Sequence, residues 1–379
     1  MLQRLEVKNF LALRDVVIDL EPFTVLVGAN ASGKSTILEA LYRICGLKVA
    51  NHKILVTGDR SLENPEDLNP DAVLSYGKFD FIRFNLNYSG HNLNIGFKKE
   101  DEWLLTSTEF SKLPPFSTAS YDYSYEAKRS LITRLPFDLL EDTCKFLPVR
   151  LLLQANFSSL SKPSHSPLKI PFLERDGSGL GTVCQYLQQE LPDAFARVQE
   201  HLASVIKGLK RFRIRRADAT AKNYVNEEPN PNWTGIAEEL IFDFDDAVGV
   251  PAKYVSEGTL LVLCILVAAA RFEGDALILI DDLERGLHPK AVRDLIQALR
   301  KLQEINPKLQ IVATSHSPYI LDELQPQEVR VIARDPERGT VVGRLTDHPQ
   351  FNKWKDTMSP GEFWSHVGED WLLKQPELA

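Results

Sequence analysis

Residues 23–44 read FTVLVGANASGKSTILEALYRI, and this stretch decides the fold. Its first five residues, Phe23–Val27, are mostly apolar and branched, which is typical of a buried strand. Beyond a glycine-containing segment, apolar residues recur at helical spacing, at Ile37, Leu38, Leu41 and Ile44. The sequence therefore predicts a strand, a tight turn and a helix, in that order.

The turn between this strand and helix has the composition of a phosphate-binding loop. It fits the pattern G-x-x-x-x-G-K-[ST], which is informative only between a strand and a helix. Backbone N–H groups can surround phosphate oxygens where no side chain intrudes, and the helix N-terminus adds unpaired N–H groups and its dipole. Lys34 would supply a compact charge for the terminal phosphates, and Ser35 a hydroxyl for Mg²⁺. The predicted nucleotide-binding residues are Gly28, Asn30, Ala31, Ser32, Gly33, Lys34, Ser35 and Thr36.

The composition is that of an ordinary globular protein. With 379 residues, 44% hydrophobic and 25% charged, the chain can form two or three domains, or one folded unit with a large insertion. Its formal net charge of -8 excludes binding of polyanions through overall charge, so any contact with nucleic acid must come from a local patch. The four cysteines are far apart, which argues against a zinc site or a disulfide framework.

We expect a cytoplasmic protein without a membrane segment. The first ten residues alternate and carry charges, unlike a signal peptide. The longest apolar run, Leu260–Ala270, is shorter than the roughly 20 residues that cross a bilayer. We therefore predict a buried helix there.

The first half of the chain otherwise predicts β structure. Leu2–Val7 and Arg14–Leu20 alternate and predict a β-hairpin. Residues 50–135 predict an antiparallel β insertion. Within it, residues 114–130 are rich in serine and tyrosine and predict an exposed loop, with a stacking surface for bases as the alternative.

A helical and basic region follows. Residues 183–206 show helical spacing, and Pro192 predicts a break between two helices. The next segment predicts a strand that presents three arginines on one face if the apolar residues between them point inward. Such a face suits the phosphate backbone of DNA or RNA, and the alternative is a solvated face balanced by nearby acidic residues. The three arginines are Arg211, Arg213 and Arg215.

Two strand ends in the second half carry polar side chains. Residues 276–282, ALILIDD, predict a buried strand that ends at Asp281 and Asp282. A hard cation prefers oxygen ligands, and a carboxylate at the carboxyl end of a parallel strand faces the same crevice as the phosphate loop. We assign Asp281 to Mg²⁺ and Asp282 to the base that positions a water on the γ-phosphate. A further strand ends at Ser315 and His316, and we assign His316 to a hydrogen bond with the γ-phosphate.

Ser256 and Gly258 precede the apolar helix and form the remaining candidate anion site. A serine and a glycine at a helix N-terminus bind anions by the same physics as the phosphate loop, and a plain helix cap is the alternative. The nearby segment DFDDAV, with three aspartates, predicts a polar turn rather than a metal cluster. Those aspartates are Asp243, Asp245 and Asp246.

Together these motifs resemble the heads of ABC-type ATPases, the superfamily of SMC proteins, RecF and the overcoming-lysogenization-defect (OLD) ATPases. GANASGKST resembles Walker A, VSEGT the signature loop, LILIDD Walker B, GLHP the D-loop and TSHSP the switch-histidine loop, in the family's order. The motifs GLHP and TSHSP, together with DGSGL and MSPGEFWSHVGEDWL, resemble short OLD-like AAA ATPases more than RecF. Those ATPases belong to mobile-element and phage-defence operons and lack a nuclease domain.

The resemblance implies an α/β fold, an ABC-type P-loop head with a mixed or parallel central sheet, an N-terminal antiparallel β region and an inserted β and helical lobe. It also implies an Mg²⁺-dependent ATPase that closes as a head-to-tail homodimer around two ATP molecules. Ser256 and Gly258 of one copy would then contact the γ-phosphate bound by Lys34 of the other. A separate effector protein, a nuclease or a toxin, would respond to this switch.

Two further classes stand beside this hypothesis. One is a RecF-like DNA-repair ATPase that clamps DNA. The other is a nuclease in its own right, which the few residues after Thr346 argue against.

The chain departs from the family pattern in two places. The usual catalytic glutamate after Walker B is Asp282 here, one methylene shorter, so hydrolysis would be slow or would use Glu284. The Q-loop is unassigned, since Gln154 lies in an apolar stretch that also suits a structural role. The predicted segments are 1–50 and 251–346 for the two parts of the head, 51–180 for a β-rich lobe, 181–250 for a helical and basic-strand lobe, and 347–379 for a helical tail.

Overall fold

The computed structural model describes residues 1–45, 47–50, 53–56, 81–88, 91–99, 103–111, 149–220 and 234–373. The strands in these ranges are β1 (Leu2–Phe10), β2 (Leu13–Asp19), β3 (Phe23–Val27), β4 (Leu47–Ala50), β5 (Lys53–Val56), β6 (Phe81–Tyr88), β7 (His91–Lys99), β8 (Trp103–Ser111), β9 (Val149–Leu153), β10 (Leu209–Thr220), β11 (Thr234–Phe244), β12 (Val250–Pro251), β13 (Ala276–Ile280), β14 (Leu309–Ser315), β15 (Val329–Asp335) and β16 (Gly339–Arg344). The α-helices are α1 (Lys34–Ile44), α2 (Phe157–Leu160), α3 (Leu180–Glu190), α4 (Pro192–Val205), α5 (Glu257–Ala270), α6 (Pro289–Ile305), α7 (Pro318–Leu321), α8 (Phe351–Trp354) and α9 (Pro360–Val367).

The chain divides into two compact units. The first comprises Met1–Arg150 and Gln310–Ala379, and the second comprises Leu151–Leu309. The predicted segment 251–346 is therefore shared by both units.

An antiparallel sheet in the first unit has the strand order β2-β1-β6-β7-β8. The predicted N-terminal hairpin is confirmed, with Leu5 opposite Ile18 and Val7 opposite Val16. Strands β6, β7 and β8 fall within the predicted β insertion and extend this sheet, because β6 pairs with β1. The predicted loop at 114–130 lies outside the described residues.

The first unit also contains strands in the order β16-β15-β3-β14. β3 lies between two parallel neighbours, with Val27 opposite both Ser315 of β14 and Val331 of β15. All five residues of β3 are buried, which explains why its sequence shows a continuous apolar run instead of alternation. The carboxyl ends of β3 and β14 consequently lie side by side.

The second unit is built around the predicted apolar helix, which is confirmed as α5. Every residue from Gly258 to Ala270 is buried. The predicted break at Pro192 is also confirmed, since α3 ends at Glu190 and α4 begins at Pro192. Strands β10 and β11 form a long antiparallel pair, and β13 lies beside β9. Among the described helices, none is long and apolar enough to cross a bilayer.

A buried amide joins two strands of the first unit, β14 and β1, to the turn before β3. The side chain of Gln310 accepts a hydrogen bond from the Leu2 N–H at 2.9 Å and donates to the Leu2 carbonyl at 2.7 Å and the Glu21 carbonyl at 3.1 Å. Gln310 is 2% exposed, so water does not compete for these hydrogen bonds. The side chain therefore replaces a rung of strand pairing between β14 and β1.

We expect Gln310→Ala to lower the free energy of unfolding by about 2–4 kcal/mol, because each buried polar group left unpaired costs roughly 1–3 kcal/mol. Chemical denaturation followed by circular dichroism would measure the loss. Gln188→Ala, on the exposed side of α3, is the matched control and should stay within about 0.5 kcal/mol of wild type. A Gln310→Ala protein as stable as that control would contradict this role.

Candidate nucleotide site

The predicted phosphate loop connects β3 to α1, as the sequence indicates. Lys34 is only 5% exposed, and its Nζ donates to the Gly28 carbonyl at 3.0 Å and the Ala29 carbonyl at 2.8 Å. The ammonium group is thus held inside the loop by neutral acceptors. Charged phosphate oxygens would form stronger hydrogen bonds with it than these carbonyls do.

Gly28 is required by packing as well as by access for phosphate. A Cβ at this position would lie 2.0 Å from the carbonyl oxygen of Ile332, a backbone atom of β15. The residue also adopts a φ of 150°, which L side chains rarely accept. Any side chain at position 28 would therefore separate the loop from β15.

A buried hydroxyl in the loop fits an anionic ligand. Ser32 is 1% exposed, and its Oγ has no hydrogen-bond partner among the described residues. Leaving a buried donor unpaired costs free energy, and a phosphate oxygen would remove that cost. Within the described residues, no side chain caps the N-terminus of α1, so its first N–H groups suit the same ligand.

The other predicted loop residues lie where a ligand can reach them. Asn30 and Ala31 are exposed at the turn, and Ala31 has a φ of 60°. Ser35 is exposed and Thr36 is half-buried, both in the first turn of α1. Gly33 precedes that turn. These residues therefore form one continuous loop and first helical turn.

His316 lies at the same sheet edge as the phosphate loop. Ser315 pairs with Val27 in the parallel register of β14 and β3, so His316 and Gly28 are the next residues on neighbouring strands. The Ser315 side chain is buried and accepts a hydrogen bond from the Ser317 N–H at 3.0 Å, whereas His316 is exposed. His316 is therefore accessible beside the loop, and its contact with a bound phosphate stays a prediction.

In the second unit, Asp281 contacts a residue that the sequence left unassigned. Gln154 donates from Nε2 to Asp281 Oδ2 at 2.9 Å. Arg175 donates from Nε to Gln154 Oε1 at 2.9 Å, which fixes the orientation of the Gln154 amide. The sequence does contain one indication that Gln154 belongs to the site, since it directly follows the apolar strand β9, as Gly28 follows β3. Arg175 carries no comparable signal.

Asp282 has a constrained backbone. Its φ of 57° is left-handed, a conformation that aspartate tolerates better than most residues with side chains. The Arg285 N–H donates to the Asp282 carbonyl at 3.0 Å, and the Leu287 N–H donates to the Glu284 carbonyl at 2.9 Å. Asp282 and Glu284, the two candidate bases, thus lie in consecutive turns after β13.

The Ser256 side chain caps α5, which is the alternative that the sequence left open. Its Oγ accepts a hydrogen bond from the Thr259 N–H at 3.3 Å and lies 2.8 Å from Thr259 Oγ1. Ser256 is nevertheless exposed, so capping and contact with a ligand are compatible. The phosphate contact of Ser256 stays a prediction.

Gly258 brings the signature loop against the D-loop. A Cβ on Gly258 would lie 2.5 Å from the Gly286 carbonyl oxygen. Arg285 adds a second link, since its Nη2 lies 3.4 Å from Glu257 Oε1 and also donates to the Ala155 carbonyl. Three loops that are distant in sequence are therefore joined. Arg285 was missed because one arginine after Walker B gives no recognisable pattern.

The interpretation of the acidic segment is partly wrong. Asp245 and Asp246 lie in the predicted turn, but Asp243 belongs to β11 and is buried. It accepts hydrogen bonds from Arg211 Nε at 2.8 Å and Arg213 Nη2 at 2.7 Å. Asp243 is part of the strand because it pairs with Arg211 of β10. Among the described residues, no group of three or more His, Cys, Asp or Glu could hold a metal ion.

The basic strand face is balanced by acidic side chains. Arg211 and Arg213 share Asp243, and Arg215 Nη2 lies 2.5 Å from Glu239 Oε2. This is the arrangement expected of a solvated, charge-balanced face, and nucleic-acid binding there stays a prediction. The hydrogen bonds from Arg213 and Arg211 hold the pKa of Asp243 well below its usual range.

Comparison with protein families gives one match over most of the chain. The family is described as "AAA domain, putative AbiEii toxin, Type IV TA system", and it matches residues 23–322. An OLD nuclease of Thermus scotoductus is 23% identical over 377 residues, which cover 92% of this chain and 65% of the nuclease. The Septu protein PtuA of Bacillus mycoides is 33% identical over 82 residues, 21% of this chain and 11% of PtuA. The chain thus spans less than two thirds of these relatives.

Solved structures with a similar fold include two SMC heads. One, bound to the C-winged helix domain of ScpA, has a TM-score of 0.55 and 15% identity, and covers 90% of this chain and 97% of its own. The other carries an extended coiled coil and is bound to the C-terminal domain of ScpA derived from Pyrococcus furiosus. It has a TM-score of 0.52 and 12% identity, and the match covers 94% of this chain and 99% of the SMC chain. The predicted α/β head fold is confirmed.

We expect Asp243→Asn to destabilise the protein near neutral pH, because Arg211 and Arg213 would lose their shared carboxylate. Since the native pKa of Asp243 is lowered, its contribution is full above its usual value of 3.8 and is lost as the pH falls through the native value. The difference between wild type and variant should therefore narrow only below about pH 4, measured by urea denaturation from pH 3 to 7. Asp245→Asn, which alters an exposed pair, is the control. A difference that does not change with pH would contradict the ion-pair role.

Proposed function

The chain belongs to this AAA-domain family, and we propose that it is an ATPase head of the OLD and SMC type that works as an ATP-controlled dimerising switch. The observation that carries the proposal is the phosphate loop. Two of its carbonyls accept hydrogen bonds from the buried Lys34 ammonium, and the Ser32 hydroxyl has no hydrogen-bond partner among the described residues. Both groups gain a stronger partner when phosphate enters, so binding energy is available to drive a conformational change.

The proposed roles of the other residues follow the chemistry of phosphoryl transfer. Ser35 and Asp281 are the oxygen ligands that we propose for Mg²⁺, which neutralises charge on the phosphates. Asp282 positions the attacking water, with Glu284 as the alternative base. His316, at the carboxyl end of β14, donates a hydrogen bond to the γ-phosphate. These groups would give a Mg²⁺-dependent hydrolysis that resets the switch.

The signature loop supplies the reason for dimerisation. Ser256 and Gly258 stand at the N-terminus of the buried helix α5, and Ser256 is exposed. We propose that the γ-phosphate held by one copy binds the signature loop of a second copy, so that two ATP molecules join two chains head to tail. Each bound ATP would stabilise the dimer in proportion to its affinity for the closed state.

We also propose that the switch controls a separate effector, a nuclease or a toxin, in defence against phages or mobile elements. The similarity to Septu PtuA and to a family described with a toxin–antitoxin system supports this. The RecF-like alternative, a DNA-binding repair ATPase, needs a cationic surface. The arginines that sequence analysis assigned to DNA or RNA are paired with Asp243 and Glu239, so they do not favour that alternative.

We expect Lys34→Ala to weaken ATP binding by about 10- to 100-fold or more, because charge-assisted hydrogen bonds to phosphate are lost. Equilibrium titration with a fluorescent ATP analogue would measure the change. Lys290→Ala removes a solvent-exposed lysine from α6 and should leave the affinity unchanged. Wild-type affinity in Lys34→Ala would disprove the assignment of the phosphate loop.

Dimerisation in trans is tested best with a variant that keeps the helix cap. Ser256→Asp retains an N-cap acceptor but places a negative charge where the γ-phosphate of the second copy must bind, so ATPase activity should fall. Ser256→Asn is the matched control, because it also retains the cap and adds no charge. We expect Ser256→Asn to keep more activity than Ser256→Asp.

Mixing Ser256→Asp with Lys34→Ala chains decides the question. In a mixed head-to-tail dimer one site carries both lesions and the other carries none. At equal amounts the ATPase rate should recover to at most about a quarter of wild type, since random pairing makes half of the dimers mixed. If both variants are folded and no ratio restores activity, each site is complete within one chain and Ser256 is only a cap.

A further inference from the structure

A carboxylate from the C-terminal segment lies at the mouth of the phosphate loop. Glu369 Oε1 accepts a hydrogen bond from the Ala29 N–H at 3.0 Å. Ala29 directly follows Gly28, and its carbonyl accepts the bond from Lys34 Nζ at 2.8 Å. One residue of the loop therefore contacts a carboxylate through its N–H and an ammonium group through its carbonyl.

Glu369 is held on both sides by packed structure. Before it, Gly368 ends α9, and its N–H donates to the Trp364 carbonyl at 2.8 Å. After it, Leu372 packs so closely on β16 that a Cβ on Gly343 would lie 2.5 Å from Leu372 Cδ2. Arg338 Nη2 also donates to the Leu372 carbonyl at 3.1 Å. The segment thus presents the carboxylate at a defined position.

The same segment contacts the helix that follows His316. The Gly361 N–H, at the start of α9, donates to Asp322 Oδ1 at 2.8 Å. A Cβ on Gly361 would lie 2.2 Å from the Pro318 carbonyl oxygen, so α9 and α7 pack backbone to backbone. Residues 359–373 therefore connect the two elements of the first unit that we assign to nucleotide phosphates.

We propose that Glu369 is a negative determinant of ATP affinity and that residues 359–373 form an autoinhibitory strap. The inference rests on the proposed function. Backbone N–H groups of a phosphate loop attract anions, and here one of them is already bound to a side-chain anion. Incoming phosphates meet a like charge in a half-buried position, where screening by water is weaker than in bulk solvent. A partner that lifts the strap would raise the affinity for ATP.

A purely structural role of Glu369 would give a different result from an electrostatic role. Glutamine has nearly the same shape as glutamate and can accept the same hydrogen bond from the Ala29 N–H, but it carries no charge. If Glu369 only stabilises the loop, Glu369→Gln leaves ATP affinity unchanged or lowers it. If its charge opposes phosphate, Glu369→Gln raises the affinity.

The experiment is equilibrium binding of fluorescent ATP and ADP analogues to the full chain. For Glu369→Gln we expect ATP to bind about two- to fivefold more tightly than to wild type, the range typical of a single charge near a protein surface. The gain should be smaller for ADP, which has less charge, and should shrink as salt rises. Glu369→Lys should bind ATP at least as tightly as Glu369→Gln.

Asp370→Asn is the matched control, because it removes one negative charge from the next, exposed residue. It should leave ATP affinity unchanged, and thermal unfolding of each variant reports whether the fold is intact. A Glu369→Gln protein that binds ATP no better than wild type overturns the strap and leaves the proposed function standing. A wild-type chain that binds no ATP overturns the proposed function, and this inference with it.

Discussion

The parallel pairing of β3 with β14 and β15 is the constraint on which the phosphate-binding unit depends. Val27 is opposite Ser315 on one side and Val331 on the other, so β3 and β14 end in register while β15 continues past them to Asp335. Gly28 then meets the Ile332 carbonyl too closely for any side chain. The loop cannot shift without breaking this packing, and so Lys34 and His316 are held at one edge of the sheet.

Buried polar side chains hold these strands to the rest of the first unit. Gln310 bonds to the backbone of β1, and Arg330, 1% exposed, donates from Nε to the Asp19 carbonyl at the end of β2 at 2.7 Å. Such bonds stabilise because an unpaired buried group would be costly. Some buried polar atoms lack a hydrogen-bond partner among the described residues, such as Arg330 Nη2 and, in the phosphate loop, Ser32 Oγ. An unpaired group of this kind is expected where a ligand completes the structure.

The second unit joins its motifs by direct contact. Gln154 bonds to Asp281, Arg285 lies against Glu257 and the Ala155 carbonyl, and Gly258 packs on the Gly286 backbone. A displacement of one of these loops must therefore be accommodated by the others, because packed backbone cannot be compressed.

The local elements of this protein follow from its sequence. The apolar run of β3, the glycines and lysine of the phosphate loop, the buried helix α5 and the break at Pro192 all depend on neighbouring residues, and the pattern of neighbours is enough to predict them. The motif order was likewise sufficient to indicate an ATPase head. These features are short-range, since propensity, periodicity and turn chemistry act within a few residues.

Only the tertiary structure decided which side chains meet. Arg211 and Arg213 share a carboxylate because Asp243, some 30 residues away in sequence, lies beside them on the neighbouring strand. Gln154 gains a place beside Asp281 for the same reason, and Glu369 reaches Ala29 across 340 residues. A charge or an amide acquires its role from its partners in space, and sequence periodicity does not specify contacts between distant segments.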